Sequence, residues 1–274
     1  MPFAPSSSGR SIYYERSGTG SGPVVLFCHG AGSNIASWWQ QLPAFGARHP
    51  CIALELRCFG RSAAPIEEFQ LGNFVDDVIA VLDHAGVDRV AFVGQSLGGM
   101  VGLRTALWHP ERVSAFVAAG SSLAIDHPLL VESVAGHLQR VPVASIEQRA
   151  FSAWYNAEHP QLAALYAHIG RFNPHAHSIG REAWSAAMAS LNTAQSLLPT
   201  DALRGLACPV LFILGSADPV VPLQAVEAIQ PLVACSEKVV LAHSGHVAYY
   251  EQPERFNAAV LDFLARRLPR SAGA

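Results

Sequence analysis

The chain has 274 residues and a mass of 29.2 kDa, a length that fits one α/β core carrying an insertion. Hydrophobic residues make up 50% of the sequence, charged residues 14%, and the mean hydropathy is +0.24, which excludes an intrinsically disordered protein. The net charge of −3, the pI near 6.4 and the 18 unclustered Lys and Arg residues provide no basic surface, so we expect no nucleic acid and no membrane as partners.

Three further features favour a cytoplasmic location. Residues 1–8 lack the charged and apolar regions of a secretory signal. No apolar run reaches the roughly 18 residues that a membrane-spanning helix needs. The five cysteines contain no CxxC pair, which argues against a disulfide framework and against a zinc site; they are Cys28, Cys51, Cys58, Cys208 and Cys235.

Short apolar runs alternate with helical patterns through the first 120 residues, which is typical of a parallel sheet flanked by helices. Strands are predicted over residues 24–28, 51–56, 89–94 and 113–119, with helices over 35–48, 71–85 and 97–108. Apolar residues in the second helix recur every three or four positions, so one face of that helix should pack on the sheet.

The pattern changes between residue 121 and about residue 200, where strand-like runs stop and the apolar period is helical. We predict an inserted helical cap over residues 121–200, between core segments 1–120 and 201–274. Strands return at 209–214 and 238–241, and a final helix covers 253–268. The last residues, 269–274, are expected to form a frayed tail.

A GxSxG string, Gly94-Gln95-Ser96-Leu97-Gly98, lies where a predicted strand meets a predicted helix. In that setting the string forms a tight turn that lifts the serine hydroxyl above the sheet, and glycine lets neighbouring backbone approach closely. A serine hydroxyl is a poor nucleophile unless a base takes its proton and a third group orients the base. Ser96 therefore requires an acid and a histidine from elsewhere in the chain.

Asp218 and His246 meet this requirement by their positions. Asp218 follows the predicted strand 209–214, and His246 follows the last predicted strand. Both lie at carboxyl ends of strands, the edge at which open α/β sheets place their sites. Asp126 is a competing candidate for the acid, but the turn around Asp218 and its place after the next strand favour Asp218.

The string His29-Gly30-Ala31-Gly32 ends an earlier strand and offers a flexible backbone. The N–H group of Ala31 could pair with that of Leu97 to hold the oxyanion of a tetrahedral intermediate. Glycine is common in any strand-to-helix loop, so this string alone is weak evidence for an oxyanion hole. It becomes informative in combination with Ser96, Asp218 and His246.

Taken together, these motifs resemble the α/β-hydrolase fold enzymes of the capped, cofactor-free esterase and lactonase type, from about residue 11 to residue 268. The matching segments are 29–32, 55–62, 94–99, 109–113, 215–219, 245–246 and 251–256. The resemblance implies an α/β-hydrolase fold with a mostly parallel central sheet flanked by helices, an inserted helical cap, and neither cofactor nor metal. It also implies that Ser96 is the nucleophile, Asp218 the orienting acid, His246 the general base, and Ala31 with Leu97 the oxyanion donors.

Two positions depart from the family pattern, since Glu55 and Cys58 stand where the family usually has Asp and Gly. They fall in a structural loop and could alter the floor of the pocket. Serine at position 96 separates this chain from haloalkane dehalogenases and epoxide hydrolases, which carry aspartate as the nucleophile.

The insertion contains a further histidine pair and several aromatic residues. His175-Ala176-His177 lacks convergent carboxylate or cysteine ligands, so surface solvation is favoured over metal binding. The aromatic side chains either line a substrate pocket or hold the cap helices together; they are Phe151, Trp154, Tyr155, Phe172 and Trp184.

The sequence thus predicts a serine hydrolase that cleaves a small carboxylic ester or lactone through an acyl-enzyme on Ser96. Basic and acidic residues of the insertion are balanced, which favours a small neutral apolar or aromatic substrate; the basic ones are Arg140, Arg149, Arg171 and Arg181. The same triad also serves C–C bond hydrolases of ring-cleavage products and perhydrolases, and some relatives are ligand receptors with slow turnover. Those alternatives stay open at this point.

Overall fold

The computed structural model describes residues 2–141, 144–173 and 179–268. Across these residues the strands are β1 (Phe3–Pro5), β2 (Ser11–Ser17), β3 (Val25–Cys28), β4 (Cys51–Leu54), β5 (Val90–Gln95), β6 (Val113–Ala119), β7 (Ile125–Asp126), β8 (Leu198–Pro199), β9 (Val210–Gly215) and β10 (Ser236–Leu241). They form one eight-stranded sheet in the order β1-β2-β4-β3-β5-β6-β9-β10 and a separate pair, β7-β8.

The sheet is mostly parallel, as predicted. Strands β3, β4, β5, β6, β9 and β10 run in one direction, and β2 pairs antiparallel with both β4 and β1 at one edge. Every residue of β3, β4, β5 and β9 is buried, which explains why these strands appear as short uninterrupted apolar runs. Strand β6 has its predicted bounds, and each of the other predicted strands lies within two residues of the prediction.

The helices are α1 (Gln41–Gly46), α2 (Leu71–Ala85), α3 (Leu97–Trp108), α4 (Pro128–Arg140), α5 (Ile146–Ala150), α6 (Ala153–Glu158), α7 (Pro160–Arg171), α8 (Arg181–Ser190), α9 (Leu223–Ile229), α10 (Ala248–Glu251) and α11 (Pro253–Arg267). Helices α2 and α3 have the predicted bounds, and α11 ends one residue early. Within the described ranges, no helix combines the length and the apolar character needed to cross a membrane.

The predicted helix over residues 35–48 is wrong. The segment forms a 3₁₀ turn at Ile35–Trp38, capped by the side chain of Asn34, and then the short helix α1. Pro43 has no N–H group to donate to the carbonyl four residues earlier, so a continuous helix would lose a hydrogen bond there. In α1 the proline stands in the first turn, where that N–H group is not needed.

The core lies on both faces of the sheet. Along β3, Leu26 and Cys28 face a layer that includes α2 and α3, while Val25 and Phe27 face the opposite layer with α1 and α11. This alternation follows from the two-residue period of a strand. Burial of each large apolar side chain stabilises the fold by about 1.5–3 kcal/mol. The two layers therefore hold the sheet in place, and with it the edge at which the parallel strands end.

The insertion leaves the core after β6 and returns before β9. These two strands are adjacent and in register, with Phe116 opposite Val210, although residues 120–209 lie between them in the chain. Helices α4 to α8 occupy the insertion, as the helical pattern predicts. The expectation that it holds no strands needs correction, because Ile125 pairs with Leu198 in the two-residue ladder of β7 and β8. That ladder joins the two ends of the insertion.

A buried arginine ties the same two ends to the core. Arg104 of α3 donates hydrogen bonds to the carbonyl oxygens of Leu123, at 3.1 Å, and of Ser196. Both acceptors lie next to the β7-β8 ladder. Arg104 therefore links the start and the end of the insertion to the helix that follows the GxSxG turn.

Candidate active site

Ser96 lies on a strained turn between β5 and α3. Its backbone has φ 49° and ψ −111°, values that a residue other than glycine rarely adopts. A Cβ atom at Gly98 would lie 2.1 Å from the carbonyl oxygen of Cys28, and one at Gly94 would lie 2.3 Å from that of Gly98. Glycine at both positions therefore lets β3, β5 and α3 approach closely enough to form the turn.

Asp218 and His246 meet at the carboxyl edge of the sheet. Asp218 follows β9 and His246 follows β10, and both carboxylate oxygens lie 3.1 Å from Nδ1 of His246. Oδ1 of Asp218 also accepts hydrogen bonds from the N–H groups of Val220 and Val221. The Asp218 side chain is fully buried, and 10% of the His246 side chain is exposed. Asp218 thus contacts the imidazole through Nδ1, and among the described residues no hydrogen bond involves Nε2.

Ser96 and His246 line the same cavity. Among the described residues, no hydrogen bond joins the Ser96 hydroxyl to His246; such contacts are often long before a substrate binds. Asp126, the competing candidate for the acid, has an exposed side chain on β7. The close contact of His246 is with Asp218 rather than with Asp126.

Three groups that sequence reasoning did not single out hold the loop of His246. The His246 N–H group donates to the carbonyl oxygen of Ala150 at 2.7 Å, and the Gln95 side chain donates to the carbonyl oxygen of His246 at 3.4 Å. Glu251 accepts from the N–H group of Gly245 at 2.7 Å and from the Ser152 hydroxyl at 2.8 Å. Glu251 therefore bridges the histidine loop and the insertion.

Burial has the largest effect on the pKa of the Glu251 carboxyl group. It raises the pKa of Glu251 from 4.5 to about 7, against the opposing effect of its hydrogen bonds from Ser152 and Gly245. The string Glu251-Gln252-Pro253 carried part of the family resemblance, so the sequence contained a signal for this residue although not for its contacts.

Gly120 also has a structural role at the site. It follows β6 with φ 49°, and a Cβ atom there would lie 2.8 Å from the carbonyl oxygen of His246 and 3.2 Å from Oδ2 of Asp218. A side chain at this position would push directly against the acid and histidine pair. A glycine directly after a strand is the only sequence signal for it.

The loop after β3 places Ala31 at the cavity. Cys28 of β3 is opposite Gly94 of β5, so the two strands end at the same level. Nδ1 of His29 is 2.8 Å from the carbonyl oxygen of Gly30, and Nε2 accepts a hydrogen bond from the N–H group of Leu56 at 3.1 Å. Burial lowers the pKa of His29, which favours the neutral ring that these contacts require.

The two predicted oxyanion donors are available for a ligand. In the part of the chain that the structure describes, neither the N–H group of Ala31 nor that of Leu97 donates a hydrogen bond. Leu97 is the first residue of α3, where the N–H groups have no partner within the helix. Ala31 itself lines the cavity.

The cavity beside Ser96 has a volume of about 160 Å³ and a mostly apolar wall. Much of that wall comes from the insertion, including Val134, Leu138, Met188 and Leu191. Of the five aromatic residues considered for the pocket, Trp184 lines the cavity. Phe151 and Tyr155 instead stack on each other with ring centroids 5.2 Å apart, while Trp154 and Phe172 are exposed. The aromatic residues of the insertion thus divide between the two roles.

Arg149 of α5 also lines the cavity, and among the described residues no carboxylate pairs with it. The balance of charges along the insertion, which favoured a neutral substrate, therefore does not extend to the cavity wall. Nothing in the sequence pattern distinguishes Arg149 from the arginines outside the wall.

The two departures from the family pattern lie outside this wall. Glu55 accepts hydrogen bonds from the backbone and side chain of Arg61, and Cys58 is buried at φ 68°, a conformation that favours the glycine usual at this position. The histidine pair at 175 and 177 lies outside the described residues. Within the described ranges, no group of three or more His, Cys, Asp or Glu side chains is arranged to hold a metal ion.

Comparisons with known proteins agree with this architecture. The family model for the α/β hydrolase fold matches residues 23–253. The 3-oxoadipate enol-lactonase 2 of Acinetobacter baylyi is 26% identical over 257 residues, covering 91% of each chain. RutD of Variovorax paradoxus, a proposed carbamate hydrolase, is 30% identical, with 93% of this chain and 96% of the relative covered.

A solved structure extends the match to three dimensions. Est816, described as an N-acyl homoserine lactone degrading enzyme, superimposes with a TM-score of 0.81 at 27% identity, covering 96% of this chain and 100% of Est816. The predicted fold class and the resemblance to the esterase and lactonase type are therefore confirmed. Because the family model spans most of the sequence, the chain belongs to the α/β-hydrolase family.

Proposed function

We propose that the protein is a serine hydrolase that cleaves small carboxylic esters or lactones through an acyl-enzyme on Ser96. Asp218 orients His246, His246 acts as the general base, and the N–H groups of Ala31 and Leu97 hold the oxyanion. The observation that carries this proposal is the contact of Asp218 with Nδ1 of His246, at 3.1 Å, beside the cavity that Ser96 also lines.

The proposed reaction follows from this arrangement. The Asp218 contact keeps the proton of His246 on Nδ1, so Nε2 can take the proton of the Ser96 hydroxyl as Oγ attacks the carbonyl carbon. The carbonyl oxygen becomes an oxyanion that accepts hydrogen bonds from Ala31 and Leu97. His246 then gives its proton to the departing alkoxide, leaving the acyl-enzyme. Water, deprotonated by His246, hydrolyses that ester and releases the carboxylic acid.

In this proposal residues 121–200 form a cap over the site. Residues of α4 and α8 supply apolar wall, and Ala150 at the end of α5 accepts a hydrogen bond from the N–H group of His246. A cap in contact with the catalytic loop excludes water that would otherwise screen the oxyanion donors. The residues before and after it, 1–120 and 201–274, form the hydrolase core.

The size of the cavity supports a compact acyl group. A volume of about 160 Å³ is close to the roughly 150 Å³ of an engineered apolar cavity that accommodates benzene. Long acyl chains exceed that space. The names of the enol-lactonase and of the homoserine lactone degrading enzyme both refer to lactones, which supports a lactone as one substrate class here.

A fluorophosphonate probe and a panel of p-nitrophenyl esters test the proposal. We expect the probe to label the wild-type protein and not Ser96→Ala, and short esters to be turned over many times. Labelling by the probe with only a single turnover of the esters would overturn the proposed hydrolase activity and favour a ligand receptor. Labelling without turnover of any ester or lactone would exclude ester hydrolysis and favour C–C bond hydrolysis by the same three side chains.

A further inference from the structure

Arg149 is a cationic group in a wall that is otherwise mostly apolar. It lies on α5, next to Ala150, whose carbonyl oxygen accepts the hydrogen bond from the N–H group of His246. Nε of Arg149 donates to the carbonyl oxygen of Ala144 at 3.1 Å. This bond fixes one edge of the guanidinium and leaves its two terminal nitrogens for another acceptor.

The terminal nitrogens of Arg149 have no protein acceptor among the described residues. Other buried arginines of this chain differ in that respect. Arg57 donates to both carboxylate oxygens of Asp77 at 2.6 Å, and Arg104 donates to backbone carbonyl oxygens. Burying terminal N–H groups of a guanidinium without an acceptor is costly, because water is removed from them and no hydrogen bond replaces it.

The other groups of the cavity do not neutralise this charge. None of the described residues that line it is an aspartate or a glutamate. His137 also lines the cavity, and burial, with smaller effects of the nearby His246, Arg149 and Arg140, lowers its pKa to about 3, so its ring is neutral near pH 7. Burial lowers the pKa of Arg149 against the opposing effects of Tyr166 and Glu147, and Glu147, two residues away, forms no ion pair with it.

We propose that Arg149 binds a carboxylate carried by the acyl part of the substrate, so that the preferred substrates are anionic: monoesters of short dicarboxylic acids, or small lactones that bear a free carboxylate. The two free terminal nitrogens suit bidentate contact with a carboxylate. Because Arg149 and Ser96 line one small cavity, only a few carbon atoms can separate the carboxylate from the reacting carbonyl. This inference rests on the proposed function and revises the expectation of a neutral substrate.

The competing explanation is that Arg149 only covers apolar surface with its aliphatic stem and directs its charge into solvent. The two explanations differ in what happens when the substrate is given a charge. A carboxylate-binding arginine raises kcat/KM for an anionic substrate over a neutral analogue of the same size. An arginine that only packs gives no such preference.

A matched pair of substrates separates them: mono-p-nitrophenyl glutarate, which is anionic, and its methyl ester, which is neutral. After subtraction of spontaneous hydrolysis, we expect wild-type kcat/KM to favour the anionic ester by at least about tenfold. Arg149→Met should lower that ratio by about 10- to 100-fold, the range for a charged hydrogen bond. Arg149→Lys should lie between the two, because lysine keeps the charge without the fork.

Arg181→Met is the matched control, since Arg181 is exposed on α8 outside the cavity wall. Its ratio should match that of the wild-type protein. A wild-type ratio at or below one, or a ratio that Arg149→Met leaves unchanged, would overturn the inference. If Arg149→Met does not fold, the wild-type ratio and Arg149→Lys decide the question.

Glutarate binding separates failure of this inference from failure of the proposed function. Glutarate should raise the melting temperature of the wild-type protein, raise that of Arg149→Lys by less, and leave that of Arg149→Met unchanged. If no ester is hydrolysed, the proposed function fails, and a glutarate shift that depends on Arg149 still supports the anion site. If esters are hydrolysed without anionic preference and glutarate has no effect, the anion site alone is wrong.

Discussion

Ser96 is held from several directions without use of its hydroxyl. Its N–H group donates to the carbonyl oxygen of Ala119 at 3.0 Å, and its own carbonyl oxygen accepts from the Ser121 hydroxyl at 2.7 Å. Such contacts can hold a residue in a sparsely populated backbone conformation. The strain at this residue is therefore sustained by neighbouring strands and by α3, and the hydroxyl remains available to a substrate.

Asp218→Asn should lower kcat by about 10⁴, because an asparagine amide at Nδ1 favours the wrong tautomer of His246. Asp126→Asn, at an exposed aspartate, is the matched control and should change kcat little. Steady-state assays with a short p-nitrophenyl ester measure both. A large loss in Asp126→Asn with an active Asp218→Asn would reverse the assignment of the acid.

The buried carboxyl group of Glu251 should make the free energy of unfolding depend on pH. Its pKa is about 7 in the folded protein and 4.5 as an ordinary glutamate, so between these values the folded state binds one proton more than the unfolded state. The free energy of unfolding should therefore fall as pH rises through this window, by at most about 1.4 kcal/mol per pH unit. Urea unfolding at several pH values between 5 and 8 measures the slope.

Glu251→Gln should lack that contribution, so the difference between wild type and variant should change steadily across the window. Glu254→Gln, at an exposed glutamate on α11, serves as the control and should leave the wild-type slope intact. A difference between wild type and Glu251→Gln that is constant from pH 5 to pH 8 would show that Glu251 does not titrate there.

At the scale of elements, the turn between β5 and α3 depends on close approach of backbone segments. Gly98→Ala would place a Cβ atom 2.1 Å from the carbonyl oxygen of Cys28, and neither backbone segment can move without disturbing the sheet. We expect a loss of about 1–3 kcal/mol in the free energy of unfolding, together with lower activity. Urea unfolding measures the first and ester hydrolysis the second.

Gly72→Ala is the matched control for this prediction. Gly72 is exposed in α2, and a Cβ atom at this position would have no heavy atom within 4 Å, so alanine should be neutral or stabilise the helix by up to about 1 kcal/mol. Equal destabilisation by both changes would contradict the prediction, because it would show that the contact with Cys28 does not decide the effect at Gly98. A neutral Gly98→Ala would mean that the gain in helix propensity offsets that contact.

The elements that sequence predicts well are those whose pattern reflects burial on one face or on all sides. Helix α2 has a clear apolar stripe, and it ends just before Gly86, which adopts a left-handed backbone conformation. Both ends of this helix are predicted correctly. Strand β2 is not among the predicted elements, because its buried residues Ile12 and Tyr14 alternate with more exposed positions and form no apolar run. The 3₁₀ turn at Ile35–Trp38 depends on a side-chain cap from Asn34, which the apolar pattern does not report.

At the scale of the whole molecule, the site is assembled from segments distant in sequence. The residues of the proposed chemistry follow strands β3, β5, β9 and β10. They can be predicted from the motifs and from the rule that the carboxyl ends of parallel strands meet at one edge of the sheet. Glu251, Gly120 and Arg149 act through tertiary contacts with the histidine loop or the cavity. Periodicity reports which residues are buried but not what they face, so those three could not be predicted in their roles.

The small cavity beside Ser96 should limit the preferred length of the acyl chain. Each buried methylene contributes about 0.8 kcal/mol, so kcat/KM for neutral p-nitrophenyl esters should rise over the first few carbons. Because the cavity is about 160 Å³, we expect the maximum at or below about six acyl carbons and a fall beyond it. Assays from acetate to palmitate measure this profile.

Leu191→Ala tests whether the cavity itself imposes that limit. Leu191 is buried, with 4% of its surface exposed, and lines the cavity, so truncation should enlarge the space and move the maximum to a longer chain. Leu162→Ala, at an exposed leucine of α7, should leave the maximum unchanged. A steady rise to palmitate in the wild-type protein would mean that the chain extends out of the cavity along an open groove, since about 160 Å³ has no room for so long a chain.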